Sequence, residues 1–199
     1  MAQIQTHIAV NTGPRDRVTV LFRGILVFPA IVFLSSFSDG LGNNRNTFIA
    51  SSLIVAPAFL ALVVRRHYPS YLLTFNHALM ELSARVFAYL FLLTDEYPSI
   101  EANPNVAVIL PDIEGGKNLN QFAPLYKWFI AIPLYVVGFV YSIYALVVTV
   151  FAWIVTVATD KYPQWAAGPV LGIMQYWNRV IGYAFLLVTD EYPTFALNA

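Results

Sequence analysis

RVFAYLFLLTDEYP at residues 85–98 and RVIGYAFLLVTDEYP at residues 179–193 are nearly the same sequence. The two stretches lie about ninety residues apart in a chain of 199 residues, a pattern typical of an internal duplication. The repeat organises the rest of the chain, because every other segment can be compared with a counterpart in the other half. The sequence therefore predicts one structural unit built twice.

The composition is that of a membrane protein. Hydrophobic residues make up 58% of the chain and charged residues 11%, whereas a soluble domain has roughly 45–50% apolar and about 25% charged residues. The mean hydropathy is +0.63. The 11 basic and 11 acidic residues balance, which gives no indication of nucleic-acid binding. The absence of cysteine excludes disulfides and thiolate chemistry.

Two apolar stretches in the first half have the length of a bilayer crossing. Residues 18–37 and 47–64 each correspond to roughly 27–30 Å of helix, which matches the hydrocarbon core. The polar loop 38–46, rich in glycine and asparagine, joins them. This pattern predicts a transmembrane hairpin.

The apolar stretch of the second half is too long for one crossing, because residues 122–158 would form roughly 55 Å of helix. Alignment of the repeats divides it into spans at 122–140 and 142–158, with a tight turn near Tyr141 and Ser142. The loop 38–46 has no counterpart here. Pro29 and Pro133 occupy equivalent places in the first span of each pair and predict a kink in both.

A third, amphipathic helix follows each hairpin, at residues 70–94 and 164–189. His77, Glu81, Arg85 and Tyr89 recur every four residues and so share one face of the first of these helices. Such a helix is expected to lie along the membrane interface. The sequence thus predicts an all-α integral membrane protein of two tandem repeats, each a transmembrane hairpin plus an amphipathic interfacial helix, with four spans in total.

The predicted domain order is a cytoplasmic segment 1–17, repeat 1 at 18–100, a polar linker 101–121 and repeat 2 at 122–199. Segment 1–17 is polar and lacks the apolar core of a signal peptide. Ten of the 11 basic residues fall on the side of the termini, and Arg45 falls on the other. Since positive charge resists translocation, we expect a multi-pass protein of the bacterial inner membrane with both termini cytoplasmic.

The acidic motif Thr-Asp-Glu-Tyr-Pro is unexpected where it stands, because carboxylates at a helix C-terminus oppose the macrodipole. Three explanations remain open. The acids pair with Arg85 or Arg179, or with the Arg65–Arg66 cluster; they face a basic surface of a partner protein; or Asp95, Glu96, Asp190 and Glu191 bind a metal together.

The chain contains no recognisable catalytic constellation. His77 and Glu81 lie one helical turn apart, but the second repeat keeps neither. Gly115-Gly116-Lys117 lacks the full spacing of a phosphate-binding loop. We therefore expect no catalytic residues, cofactor, metal, nucleic acid or small-molecule substrate.

Tyr-Pro followed by an amphipathic helix with Arg-Val-x-x-Tyr and then Leu-Leu-Thr-Asp-Glu-Tyr-Pro resembles an uncharacterised bacterial membrane family, domain of unknown function 4389. The resemblance covers most of the chain, since both repeats carry it. The family pattern has a Thr-Gly-basic-Tyr-Pro type segment after each hairpin, from which the Arg65–Pro69 segment departs. The resemblance implies topology rather than activity. The candidate interaction motif comprises Arg85, Tyr89, Thr94, Asp95, Glu96, Tyr97, Pro98, Arg179, Tyr183, Thr189, Asp190, Glu191, Tyr192 and Pro193.

These features favour a non-enzymatic accessory or structural subunit of a larger inner-membrane complex, either energy-converting or lipid-transporting. Its partners would be membrane lipids and other transmembrane subunits, contacted through aromatic-rich helices. A small oligomeric transporter or lipid-handling protein is the alternative. A membrane scaffold that recruits cytoplasmic proteins through its acidic motifs is a weaker one.

Overall fold

The computed structural model describes residues 3–37, 47–101 and 103–197, with side chains in the second range from residue 55 onward. The predicted loop 38–46 lies outside the described residues. The fold is mostly helical. Its elements are β1 (Gln5–Ile8), α1 (Arg17–Leu26), α2 (Phe28–Ser35), α3 (Thr47–Arg65), α4 (Ser70–Leu90), β2 (Val106–Ile109), α5 (Ala123–Ile130), α6 (Ile132–Thr159) and α7 (Gln164–Ala184).

Each half begins with a helix that is interrupted at a single residue before a proline. The Asp16 side chain accepts hydrogen bonds from the first amides of α1 and so caps its N-terminus. The interruptions fall at Val27, ahead of Pro29, and at Ala131, ahead of Pro133. Proline lacks an amide hydrogen and its ring crowds the preceding turn, so the predicted kink occurs in both halves.

The turn predicted near Tyr141 and Ser142 is wrong, because α6 is continuous from Ile132 to Thr159. The predicted spans 122–140 and 142–158 are therefore not separate helices. Serine is common in turns, but the Ser142 hydroxyl donates to the Gly138 carbonyl at 2.8 Å, one turn back in the same helix. Small residues recur every seven positions on the buried face of α6: Gly138, Ala145 and Ala152. At Gly138 the lack of a side chain allows the Trp177 ring of α7 to approach closely.

The amphipathic helices end earlier than predicted, α4 at Leu90 and α7 at Ala184. Leu92 and Leu187 just beyond them take a left-handed conformation, with φ of 64° and 58°. Both helices also pack against other elements of the fold. Helix α7 packs on α6 and is covered by β1, while α4 packs on α2 and β2. The apolar faces of α4 and α7 are thus used inside the fold.

The prediction of an all-α fold is incomplete, because the structure also contains two short strands. Strand β1 lies in the predicted N-terminal segment and β2 in the predicted linker, and they pair antiparallel from Gln5↔Ile109 to Ile8↔Val106. Val106 and Val108 alternate toward the core. Strands of this length are too short to be recognised in a chain dominated by apolar helices.

The two halves contact each other through several pairs of elements. Strand β1 packs on α7, α1 packs on α6, and α3 packs on α5. Strand β2, in the segment between the halves, packs on α4. The Trp153 indole of α6 donates to the Val20 carbonyl of α1 at 3.0 Å. Gln121, just before α5, donates to the Val63 carbonyl of α3 at 2.6 Å. Each half is therefore held by the other over most of its length.

Among the described residues, two helices are long and apolar enough to cross a membrane. They are Arg17–Ser35, which includes the break at Val27, and Ile132–Thr159, both with a mean hydropathy of 2.2. Only 17% and 22% of their apolar windows are buried, whereas the core helix of a soluble protein is mostly buried. Within the part of α3 whose side chains are described, Val55–Arg65 forms a shorter apolar helix.

Candidate functional site: two cation-carboxylate centres

The first centre forms where α1 brings Arg23 to the C-terminal end of α4. The Arg23 side chain is 3% exposed and forms an ion pair with Asp95. Its Nη1 donates to the carbonyls of Tyr89 and Thr94, both at 3.0 Å. The guanidinium carbon also lies 4.4 Å from the centre of the Tyr89 ring, a cation–π distance.

A second arginine completes this centre. Arg15 Nη1 donates to the Leu92 carbonyl at 2.7 Å and lies 3.4 Å from Asp95. Its guanidinium carbon is 4.9 Å from the centre of the Tyr162 ring. Burial lowers the pKa of Arg15, although the charge of Asp95 partly opposes this shift. The N-terminal segment is thereby fixed to both halves of the chain.

The second centre repeats this arrangement at the end of α7, with Lys127 of α5 as the cation. Lys127 Nζ lies 2.7 Å from the carboxylate of Asp190 and donates to the Thr189 carbonyl at 2.7 Å. It also lies 5.0 Å from the centre of the Tyr183 ring. Asp190 accepts a further hydrogen bond from the Asn120 amide at 2.6 Å.

The position of each cation explains why acids follow these helices. The last carbonyls of a helix carry partial negative charge and have no partner within the helix. Arg23 binds one such carbonyl, that of Tyr89 in α4, together with the carboxylate of Asp95. Lys127 binds the Thr189 carbonyl, in the segment after α7, together with the carboxylate of Asp190. Each acid is therefore stabilised by a buried cation that also binds a backbone carbonyl near it.

Threonine shapes the chain between each helix and its acid. The Thr94 hydroxyl accepts from the amide of Glu96, and the Thr189 hydroxyl accepts from the amide of Glu191, both at 3.2 Å. Threonine stabilises such turns by this local bond. Glu96 also accepts from Asn105 at 3.1 Å, and hydrogen bonds from Asn103 and Asn105 lower its pKa.

The arginines of the repeated motif have a role that differs from the predicted pairing. Arg85 donates to the carbonyl of Glu101 and Arg179 to that of Ala196, so each binds the backbone that follows its own motif. The acids Asp95 and Asp190 do pair with basic side chains, but their partners are Arg15, Arg23 and Lys127.

The remaining motif residues pack around the two centres. The rings of Tyr89 and Tyr97 meet edge to face at 5.8 Å, as do those of Tyr183 and Tyr192 at 5.7 Å. Pro98 and Pro193 are buried. The structure thus brings the fourteen candidate residues together as two separate clusters, one at the end of α4 and one at the end of α7.

The structure does not bring the acids of the two motifs together around a metal. Within residues 3–37, 47–101 and 103–197, no group of three or more histidine, aspartate or glutamate side chains is placed to bind one. His77 and Glu81 lie 3.6 Å apart, but both contact the Val108 backbone of β2. In the second half Gln175 similarly donates to the Thr6 carbonyl of β1.

Arg15, Arg23 and Lys127 are the functional residues that the candidate motif omitted. A signal for two of them was present, since Arg23 and Lys127 occupy corresponding positions within otherwise apolar stretches. A charge inside an apolar helix requires a partner, and the repeated acid was the available one. Arg15 had no such signal, because it precedes α1 in a polar segment.

Comparison with known proteins is consistent with the resemblance of the repeated motif. Neither a curated protein nor a solved structure matches the chain. Residues 123–196, which contain α5, α6, α7 and the second centre, match a family described as "Domain of unknown function (DUF4389)", which confirms the predicted family for this part of the chain.

Proposed function

We propose that this chain is a non-enzymatic structural subunit of a larger inner-membrane complex, of an energy-converting or lipid-transporting kind. The observation that carries the proposal is the outer surface of α6. This helix is 28 residues long, and large apolar side chains stand exposed along it: Val136, Phe139, Val140, Ile143, Leu146, Phe151 and Ile154. A continuous apolar surface of this kind is typical of contact with lipid or with a partner helix.

The neighbouring helix adds to this surface. In α1, Val18 and Ile25 are 62% and 71% exposed, and the helix packs beside α6. The buried charge of Arg23 is turned away from this surface, toward Asp95. The polar residues of α7 contact β1 instead, through Gln175 and Asn178. The apolar helices therefore have an outer face free of these polar groups.

We also propose that the two halves are tandem copies of one unit. The support is a set of matched contacts: the cation of each first helix, the carboxylate and threonine after each amphipathic helix, and the break before each proline. Unrelated halves would have no reason to repeat these positions in the same order. A structure determined by experiment would test this proposal through superposition of residues 17–98 on residues 123–193.

For orientation, we propose an inner-membrane location with both termini at the cytoplasmic face. The support is the distribution of basic residues, ten of which lie outside the loop that contains Arg45. Several of those ten are exposed: Arg17, Arg65, Arg66, Lys117 and Lys161.

Photo-crosslinking in native membranes tests the subunit proposal. A photoreactive amino acid at Phe139 or Phe151 on the exposed face of α6 should give a discrete product with one other membrane protein. The matched control places the same amino acid at Gln5, which is exposed on β1 at the opposite side of α7. Crosslinks only to lipid or to a second copy of the chain would reject the subunit proposal and support the oligomeric transporter or lipid-handling alternative.

A further inference from the structure

An apolar cavity of about 320 Å³ lies between α4, α6 and α7. Its walls include Phe87 and Phe91 from the end of α4, Ala145 from α6, and Ile173, Trp177 and Ile181 from α7. Sites for small molecules in proteins typically have volumes of about 300–1,000 Å³ and mainly apolar walls. None of the residues that form the two cation-carboxylate centres lines this cavity.

The polar side chains in the cavity wall are already engaged with the protein. Ser83 donates to the Leu79 carbonyl at 2.8 Å. Ser142 donates to the Gly138 carbonyl at 2.8 Å and accepts from the Trp177 indole at 2.9 Å. Asn178 donates to the Thr6 hydroxyl at 2.8 Å. The cavity also has no charged residue in its wall, so it suits a group that requires neither hydrogen bonds nor charge.

The cavity borders the exposed apolar surface of the protein. Ala145 in its wall is adjacent on α6 to Leu146, which is 61% exposed, and Phe87 in its wall is 43% exposed. The aromatic rings of Phe87 and Phe91 are stacked, with their centres 5.8 Å apart. A flexible apolar chain that lies on α6 therefore has a short route into the cavity.

We propose that this cavity binds the alkyl chain of a membrane lipid. A small group such as a water molecule or a methylene occupies roughly 30 Å³, so the cavity has room for a chain of about ten carbons. The chain enters and the headgroup stays outside, because the polar side chains of the wall already bond to the protein and none of the lining residues is charged. This inference rests on the membrane location of α6 that the proposed function requires, and it adds a specific binding site for lipid.

The experiment uses the full chain in phosphatidylcholine vesicles that contain a trace of phosphatidylcholine with a diazirine in its acyl chain. After illumination, we expect labelled peptides from the outer face of α6, around Phe139 and Phe151, and also from Phe87, Phe91 and Ile181 in the cavity. Labelling of α6 without the cavity residues would overturn the cavity proposal alone. An unlabelled α6 would instead overturn the membrane location of α6, and with it the proposed function.

A blocking variant tests whether the label enters the cavity. Ala145→Phe places a ring inside it, and we expect the labelling of Phe87, Phe91 and Ile181 to fall by about tenfold or more, while the labelling of α6 persists. Val147→Phe is the matched control, because residue 147 is 47% exposed on the same helix and should leave both signals unchanged. Equal cavity labelling in the two variants would reject the proposal.

A competition experiment on the wild-type chain tests the same proposal without a substitution that could alter the fold. Excess unlabelled dodecane has an alkyl chain and no headgroup, so it should suppress the labelling of the cavity residues and leave the labelling of the α6 surface intact. If dodecane leaves cavity labelling unchanged, the site does not recognise the alkyl chain, and the proposal fails.

Discussion

Lys127 and Asp190 form an ion pair at 2.7 Å in which the lysine side chain is almost fully buried and a quarter of the aspartate side chain is exposed. Lys127 comes from α5 and Asp190 from the segment after α7, so the pair joins the start and the end of the second half. The ammonium group also donates to the Thr189 carbonyl, in the segment that follows α7. The buried ammonium, rather than the partly exposed carboxylate, is therefore the charge that depends more on its partner.

Lys127→Met should therefore destabilise the protein by about 3 kcal/mol. Removal of one partner from a buried pair costs about 3–5 kcal/mol, and the partial exposure of Asp190 places the effect at the lower end. Thermal unfolding in detergent, followed by tryptophan fluorescence, measures it.

The double variant Lys127→Met with Asp190→Asn should regain part of the loss, because no unpaired charge then remains. Asp190→Asn alone should cost more than Lys127→Met, because it leaves a buried ammonium without its counter-charge, whereas Lys127→Met leaves a carboxylate that is a quarter exposed. Equal effects of the two single variants would show that the burial of Lys127 does not determine the cost.

Part of each cation-carboxylate centre could be predicted from the sequence. The repeated motif located Asp95 and Asp190, and the apolar context marked Arg23 and Lys127 as charges in need of partners. The pairing itself depends on which helix end lies beside which cation, and this is a matter of tertiary packing. Arg85 was as reasonable a partner by spacing alone, yet it binds the Glu101 carbonyl.

Gly182 holds strand β1 against α7. A Cβ at this position would lie 1.8 Å from Ile4 Cδ1, so Gly182→Ala must displace the Ile4 side chain that precedes β1. Overpacking of this kind costs about 1–3 kcal/mol, against a gain of up to about 1 kcal/mol in helix propensity. We expect faster amide hydrogen exchange in residues 4–9, with a smaller change in overall stability.

Shortening of Ile4 should reverse the effect. Ile4→Val removes the atom that a Cβ at Gly182 would meet, so the double variant should regain protection in β1. Gly24→Ala is the control, because no atom lies within 4 Å of a Cβ there. Unchanged exchange in β1 for Gly182→Ala would show that Ile4 adapts without movement of the strand.

Two buried tyrosines should make the protein sensitive to alkali. Burial raises the pKa of Tyr162 and that of Tyr176 to about 12, from an ordinary value of 10.0. Because the folded state holds these protons more tightly than the unfolded state does, their contribution to stability is complete below pH 10. It is lost as the pH rises toward 12. Denaturation midpoints measured across this range should fall.

The two tyrosines are distinguishable by substitution. The Tyr176 hydroxyl donates to the Leu134 carbonyl at 2.8 Å, so Tyr176→Phe should cost about 1 kcal/mol at neutral pH. The buried hydroxyl of Tyr162 has no hydrogen-bond partner within the described part of the chain, so Tyr162→Phe should be close to neutral there while it reduces the loss in alkali. An unchanged alkaline slope in both variants would assign the sensitivity to other groups.

The continuity of α6 is the largest difference between the sequence-based expectation and the structure. The length of the apolar stretch favoured two spans, because a single helix of that length exceeds the bilayer. Length alone does not show whether an apolar stretch forms one helix or two, since a long apolar helix can also pack along neighbouring helices. Helix α6 does so with α7, and Gly138 lies directly against the Trp177 ring. At the expected turn, the Ser142 hydroxyl donates to the Gly138 carbonyl within the helix.

Ile143→Pro separates the two architectures. Residue 143 is 50% exposed in the middle of α6, so the substitution acts through the backbone and removes little packing. In a continuous helix, proline removes one hydrogen bond and clashes with the preceding turn, at a cost of about 3 kcal/mol or more. Ile143→Ala, which keeps the helix, should change the unfolding temperature by much less. If the chain instead turned near Tyr141 and Ser142, the proline would be tolerated and the two variants would unfold together.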